Sequence, residues 1–164
     1  MSSKVPSIEE LLRQAPFLQH LSPGDLAKVA QIASVEQFEP SDILFQEGSL
    51  CDRVYLVVEG LVALEMCMPR RGCVRILTVG SREIVGVSAL LHIHNARMTT
   101  RATAVEATTL ISLPAQRLRE LCDSDHDIGY AVMTQMSLAL AARLLATRLQ
   151  LLDVYSETQT AART

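Results

Sequence analysis

Between Gly86 and Ala104 the chain gathers residue types that could do chemistry: a glycine opening a short apolar turn, His92 and His94 two apart, and Arg97 leading into a Thr- and Val-rich run. Imidazoles two apart share a face of an extended chain but diverge by about 200° on a helix. A haem or metal sensor would need a further ligand such as His126, Cys73 or Met98 beside them. Solvated loop histidines are the plainer reading. No Ser-His-Asp set and no close pair of carboxylates falls on a strand that could line a pocket, so no nucleophile or general base is evident. A protein that is not an enzyme is expected. Asp52, Arg53, Arg70 and Arg71 read as solvated turn charges, and Met66 and Met68 as core and hairpin filler.

The elements that must position this stretch follow from local signals. Ser7 and Glu10 form an S-x-x-E box among Ile8, Leu11, Leu12 and Phe17, which predicts a first helix over 7–19. Ser22-Pro23-Gly24-Asp25 repeats the start signal, and Leu26, Val29, Ala30 and Ile32 supply the buried face of a second helix. From Ser34 the pattern changes to short β-type runs: Val35–Phe38, Ile43–Phe45, Val54–Val58, Leu61–Met66 and Cys73–Val79. Glycines at 48, 60, 72, 80 and 86 stand 6 to 12 residues apart, the spacing of a compact β-barrel or roll. Each is expected in a turn where a side chain would be strained. Thr99–Leu113 predicts one or two further strands, and Pro114 can open a helix over Ala115–Cys122.

A last helix is expected over about 127–155, capped by Ser124 or Asp125. It carries two apolar rows, one with Leu138, Leu145 and Leu152 and another with Met133, Leu140, Leu144 and Leu151. One stripe suffices to pack a helix on its own domain, so the second predicts a homodimer through this helix. The polar tail from Glu157 is expected to fray.

Length and charge exclude several classes. A chain of 164 residues is expected to form one domain with a sizeable core. A formal charge of −3 argues against a broad grip on nucleic acid. The N-terminus lacks the apolar core of a secretory signal, and no segment approaches the ~20 uncharged apolar residues of a membrane span. A cytoplasmic protein with neither nucleic-acid nor membrane partner is therefore expected. Cysteines at 51, 67, 73 and 122 show no zinc spacing and are expected as reduced thiols, although Cys67 and Cys73 flank the turn 68–72 and could face each other across a hairpin.

Three strings carry a resemblance. Asp42-Ile-Leu-Phe-Gln-Glu-Gly48, Arg53-Val-Tyr-Leu-Val-Val-Glu-Gly-Leu-Val62 and Val85-Gly-Val-Ser-Ala-Leu-Leu91 resemble the strand-and-turn, the strand pair and the phosphate-binding cassette of cyclic-nucleotide-binding domains. The likeness runs over about residues 9–155. It implies a mainly β fold with flanking helices: a double-stranded β-helix, or jelly roll, over about 34–113, with two N-terminal helices and C-terminal helices over about 115–155. The whole chain, 1–164, would be one such domain, with cAMP or cGMP as the candidate ligand.

In that family the cassette is a short helix whose amides face the cyclic phosphate. Gly86 matches its glycine, Ala89 and Leu90 its small and apolar positions, and Ser88 lies between. Val87 stands where a glutamate holds the ribose 2′-hydroxyl. Valine accepts no hydrogen bond, and a buried unpaired hydroxyl costs about 1–3 kcal/mol, so selection for a cyclic nucleotide is expected to weaken by about tenfold or more.

The family's phosphate-pairing arginine has two counts here. Forward from Gly86 the spacing reaches Arg97, and backward from Ala104-Val105-Glu106 it reaches Met98. A bulge near Thr99-Thr100 would reconcile them. Arg97 and neighbouring Thr99 join the candidate set, and Arg101 is a third option read as solvated. Ala142–Thr147 resembles the segment that places a threonine against the purine in catabolite-activator-type regulators, which makes Thr147 a candidate. Those regulators continue into a helix-turn-helix; nine residues follow Tyr155 here, so no DNA reader is expected.

Gly86, five residues and His92-Ile93-His94 also resemble the opening of the cupin metal motif, which needs a nearby glutamate where this chain has Met98, Thr99 and no acid before Glu106. The leading expectation is a regulatory sensor domain with an altered cassette. A ligand-free dimerisation module on the same fold is the alternative, followed by a cupin-like metal protein.

Overall fold

The computed structural model describes residues 6–91 and 97–161, with side chains to Asp153. His92 and His94, and with them the cupin-like reading, lie outside these residues. Helix α1 (Ile8–Arg13) begins on a reciprocal capping box, in which the Glu10 amide donates to Ser7 Oγ and the Ser7 amide to Glu10 Oε2. The helix expected over 7–19 stops early, and a 3₁₀ turn over Pro16–Leu18 follows. Pro16 has no amide to continue the ladder and holds Ala15 extended. Helix α2 (Pro23–Ile32) starts at the expected proline.

Eight strands follow: β1 (Ser34–Phe38), β2 (Ile43–Phe45), β3 (Arg53–Glu59), β4 (Val62–Met68), β5 (Gly72–Val79), β6 (Ile84–Val85), β7 (Arg101–Ala104) and β8 (Thr108–Pro114). Helix α3 (Val87–Leu91) leaves β6, and α4 (Ala115–Ser124) and α5 (His126–Ala161) close the chain. The strands form two antiparallel sheets, β1-β8-β3-β6 and β2-β7-β4-β5. The run expected over 99–113 breaks into β7 and β8 at the bend 105–107, and the two-residue β6 is an addition to the expected strands.

Alternation along β3 builds two cores. Tyr55 and Val57 face the interior between the sheets with Phe45, Val62, Leu64, Val79, Val85 and Leu110. Val54 and Leu56 face outward and pack with Ile111 and Leu113 under Leu12, Leu26, Val29, Leu118 and the first turns of α5. Strand β3 is thus buried on both faces, which explains its nearly continuous apolar run.

Helix α5 is capped by Asp125, whose Oδ1 accepts the amides of Asp127 and Ile128. Ile128, Val132 and Met136 seat it on the roll. Farther along, Arg143 Nη2 donates to the Ile84 carbonyl at 3.4 Å, and Gln150 Nε2 to the Arg75 and Ile76 carbonyls at 3.1 and 3.0 Å. These are backbone acceptors of β6 and β5, each the last strand of its sheet, so α5 covers one edge of both sheets. Neither expected apolar row is buried by this docking. Leu138, Leu145 and Leu152 are 60, 59 and 63% exposed, and Met133, Leu140, Leu144 and Leu151 are exposed as well. Residues 126–153 are also long and apolar enough, by length and composition, to cross a membrane, because few charges interrupt the leucines.

Two further expectations change. Cys67 and Cys73, expected as reduced thiols, are joined by a disulfide: the β4–β5 register sets them directly opposite, with Cα atoms 3.9 Å apart. Cys51 and Cys122 remain free and half-buried. Gly48, Gly60, Gly72 and Gly86 have positive φ as expected, but in the turn after Gly80 it is Arg82 that takes the left-handed conformation.

Candidate functional site

Gly86 is held by backbone geometry. Its φ is +89°, and a Cβ there would lie 2.7 Å from the Arg53 carbonyl oxygen. Only a residue without a side chain lets β6 turn into α3 this close to β3. The next residue, Val87, is 2% exposed and belongs to the apolar cluster beneath the helices, as do Ala89 and Leu90. Ser88 is half-buried. The end of α3 is held by Arg119 of α4, whose Nη1 donates to the Ala89 carbonyl at 2.8 Å and the Leu90 carbonyl at 3.5 Å. This contact had no signal in the sequence, since it depends on how α4 lies across α3.

The Arg97/Met98 register is set by backbone pairing. Leu50 and Arg97 form an isolated antiparallel bridge. The Met98 amide donates to the Ser49 carbonyl at 2.9 Å, and the Gly48 amide donates to the Met98 carbonyl at 2.7 Å. With the backbone so fixed, neighbouring side chains take opposite faces. Met98 is 4% exposed within the interior cluster, while Arg97 is exposed and its Nη1 donates to the Gly48 carbonyl at 2.8 Å. The bulge expected at Thr99-Thr100 is not formed; a bend occupies those residues, and register shifts fall at Ile43/Phe45, Val57/Glu59 and Leu64/Glu65.

Thr99 is exposed. Thr147 is exposed on α5 and donates its hydroxyl to the Arg143 carbonyl at 2.9 Å. The structure therefore gathers Gly86, Val87, Ser88 and Ala89 in one turn, and no hydrogen bond among the described residues joins Arg97, Thr99 or Thr147 to it.

Arg101, expected to be solvated, faces away from the interior residue Ala102 and is paired. Its Nε and Nη2 donate to Glu65 Oε2 at 2.8 and 2.6 Å, and the Thr103 hydroxyl donates to the same oxygen at 3.2 Å. Arg53, expected in a turn, opens β3; its Nη1 donates to Ser112 Oγ at 2.7 Å and lies 3.5 Å from Glu36. Inside the roll the Phe45 and Tyr55 rings stack with centroids 6.5 Å apart. Burial pushes the Tyr55 hydroxyl up to about 12, so it stays neutral at physiological pH.

Between α5 and the β5–β6 side of the roll lies a cavity of about 190 Å³ whose charged lining residues are Glu83 and Arg143. Desolvation lowers the Arg143 pKa, and the Glu83 carboxylate opposes that shift. Sequence alone had no way to mark Arg143, because the Ile84 carbonyl and the Glu83 carboxylate beside it lie 59 and more positions earlier.

A two-sheet jelly roll with a glycine-opened turn and a long helix docked on its edges defines the class of fold. The sequence profile of the cyclic nucleotide-binding domain matches residues 35–125, more than half of the chain, and the chain belongs to that family. A Geobacter metallireducens protein named as cyclic nucleotide-binding is 28% identical and superposes with a TM-score of 0.70, over 84% of this chain and 98% of that one. The N-terminal domain of a Streptomyces coelicolor transcriptional regulator is 25% identical, with a TM-score of 0.63 over 84% of this chain and 94% of that one. A Rhodopseudomonas palustris protein named as a potassium channel is 28% identical over 121 residues, 73% of this chain. The chain spans 28% of that protein's length.

Proposed function

We propose that this chain is a regulatory domain that keeps the cyclic nucleotide-binding fold, takes no cyclic nucleotide, and acts by assembling as a homodimer through α5. The observation that carries this reading is the exchange at 97 and 98: a thioether enters the roll, and the guanidinium is spent outside on the Gly48 carbonyl. Val87 supports it, since its side chain is committed to the apolar core. A nucleotide in the roll would leave its phosphate without this guanidinium and its ribose hydroxyl without a cassette acceptor, at about 1–3 kcal/mol for each buried unpaired group.

The assembly half rests on Leu138, Leu145 and Leu152, seven residues apart and exposed, which is the spacing of a helix–helix seam. Titrating cAMP and cGMP into the full chain by calorimetry tests the first half. No heat at millimolar nucleotide is expected, and a saturable isotherm would overturn the reading.

A second reading, a sensor for a different small anion, is favoured by Arg143 at the cavity beneath α5. It predicts that a small phosphate or carboxylate raises the melting temperature of the wild type and not of Arg143→Ala. Equal response of both proteins would discard it.

A further inference from the structure

We propose that Cys67 and Cys73 form a reversible thiol–disulfide exchange site at the tip of the β4–β5 hairpin, and that its state sets how firmly α5 is held on the roll. The chemistry stands whether or not the assembly reading above is right; only its output, the seating of α5, touches that reading.

Three features make the pair exchangeable. Cys73 is exposed and Cys67 half-buried, so an external thiolate can reach the bond. The turn joining them carries Arg70 and Arg71, whose positive charge favours thiolate over thiol, while Glu47 stands on the other side, its Oε2 accepting the Cys67 amide at 2.8 Å. The hairpin is paired on both sides of the cross-link, Met66 with Val74 and Met68 with Gly72, so opening the bond leaves the strands together. A cross-link only six residues long closes a small loop, so its opening acts on the hairpin itself and on what is bonded to the hairpin rather than on the fold as a whole.

The exchange balances with a low-molecular-weight thiol as reductant. Its thiolate attacks Cys73 Sγ, the Cys67–Cys73 bond breaks, and Cys67 leaves as a thiolate that takes a proton from water. A second thiolate attacks the mixed disulfide, releasing the small disulfide and the Cys73 thiolate, which is protonated in turn. Two small thiols are oxidised and one protein disulfide is reduced. A low-molecular-weight disulfide runs the steps in reverse.

The hairpin tip is tied to both neighbouring features. Glu47, which accepts the Cys67 amide, precedes Gly48, whose carbonyl accepts Arg97. Two and three residues beyond Cys73, the Arg75 and Ile76 carbonyls accept Gln150 of α5. Cys51 and Cys122 provide an internal contrast. Both are half-buried, neither has a cysteine partner, and desolvation pushes both thiols up, Cys122 to about 11.

The test uses the full chain in glutathione buffers of graded ratio, followed by alkylation, mass mapping and hydrogen exchange. Reduction is expected to add two alkyl groups, on Cys67 and Cys73, with unchanged far-ultraviolet circular dichroism, and oxidised glutathione to remove that reactivity. Amides over 66–76 and 143–153 are expected to exchange about tenfold faster in the reduced protein. A Cys67→Ser/Cys73→Ser variant should show the fast rates at every glutathione ratio, and Cys51→Ser/Cys122→Ser should cycle like the wild type. Four reactive thiols at every ratio, reduction that requires denaturant, or identical exchange over 143–153 in the two states would each overturn the proposal.

Discussion

The turn at 86–91 and the helix at 126–153 have opposite balances of contact. Every apolar side chain of the turn from Val87 to Leu90 is buried within the chain, and even the carbonyls at its end are held by Arg119. Helix α5 is anchored by Asp125, Arg143 and Gln150 and by one apolar flank, yet leaves its leucines outside. The turn's apolar side chains are spent on the fold, and the helix leaves its leucines exposed. Contiguous exposed apolar surface of that kind marks association. The comparison teaches that the turn's side chains serve the fold, whereas the helix carries apolar surface beyond what its docking uses.

Breaking the frame should have the largest effect. Gly86→Ala forces a Cβ against the Arg53 carbonyl at a positive φ, and a loss of about 3 kcal/mol is expected in urea unfolding. An unchanged midpoint would mean that the turn is not held as described. Next comes the helix surface. Leu138→Glu/Leu145→Glu should weaken self-association about a hundredfold in sedimentation analysis while leaving circular dichroism unchanged. A variant that still dimerises would move the interface elsewhere.

The smallest effect concerns the start of α5. Hydrogen bonding from Lys28 pulls the Asp125 carboxyl from its ordinary 3.8 down to about 2. A depressed carboxylate contributes stability that is present above its unfolded pKa and lost as pH falls through the folded value. The loss attributable to Asp125 should therefore run from about pH 4 to pH 2. Asparagine still caps a helix but cannot hold Lys28 by charge, so Asp125→Asn should flatten this part of the pH–melting curve without shortening α5. A curve that matches the wild type from pH 2 to pH 5 would dismiss the pairing.

Much of the fold was legible. Ile43–Phe45 has the bounds its apolar run predicts, the Ser7–Glu10 box caps α1, and the glycine spacing marks four of the roll's left-handed turns. These signals are local: a cap, a turn or a two-residue alternation needs only its neighbours in sequence. The candidate site was legible only in part. Alternation says that Arg97 and Met98 face opposite ways but not which of them faces inward; that depends on the pairing of Met98 with Ser49 across a loop. Val87 was readable as a missing acceptor, but not as a buried contact of the helical core. The two rows on α5 both read as candidates for burial, and the flank that packs is a third one, through Ile128, Val132 and Met136.

By itself, then, the sequence determined the roll, the glycine that turns it and a last helix with more than one apolar row, because these follow from periodicity and backbone preference. The tertiary structure alone decided that methionine rather than arginine enters the roll, that Arg101 belongs to Glu65, that Cys67 meets Cys73, and that the leucines of α5 stay outside. Each of these is a choice of face or partner; the cysteine pair is set by the register of its own hairpin, and the others by contacts between segments far apart in the chain.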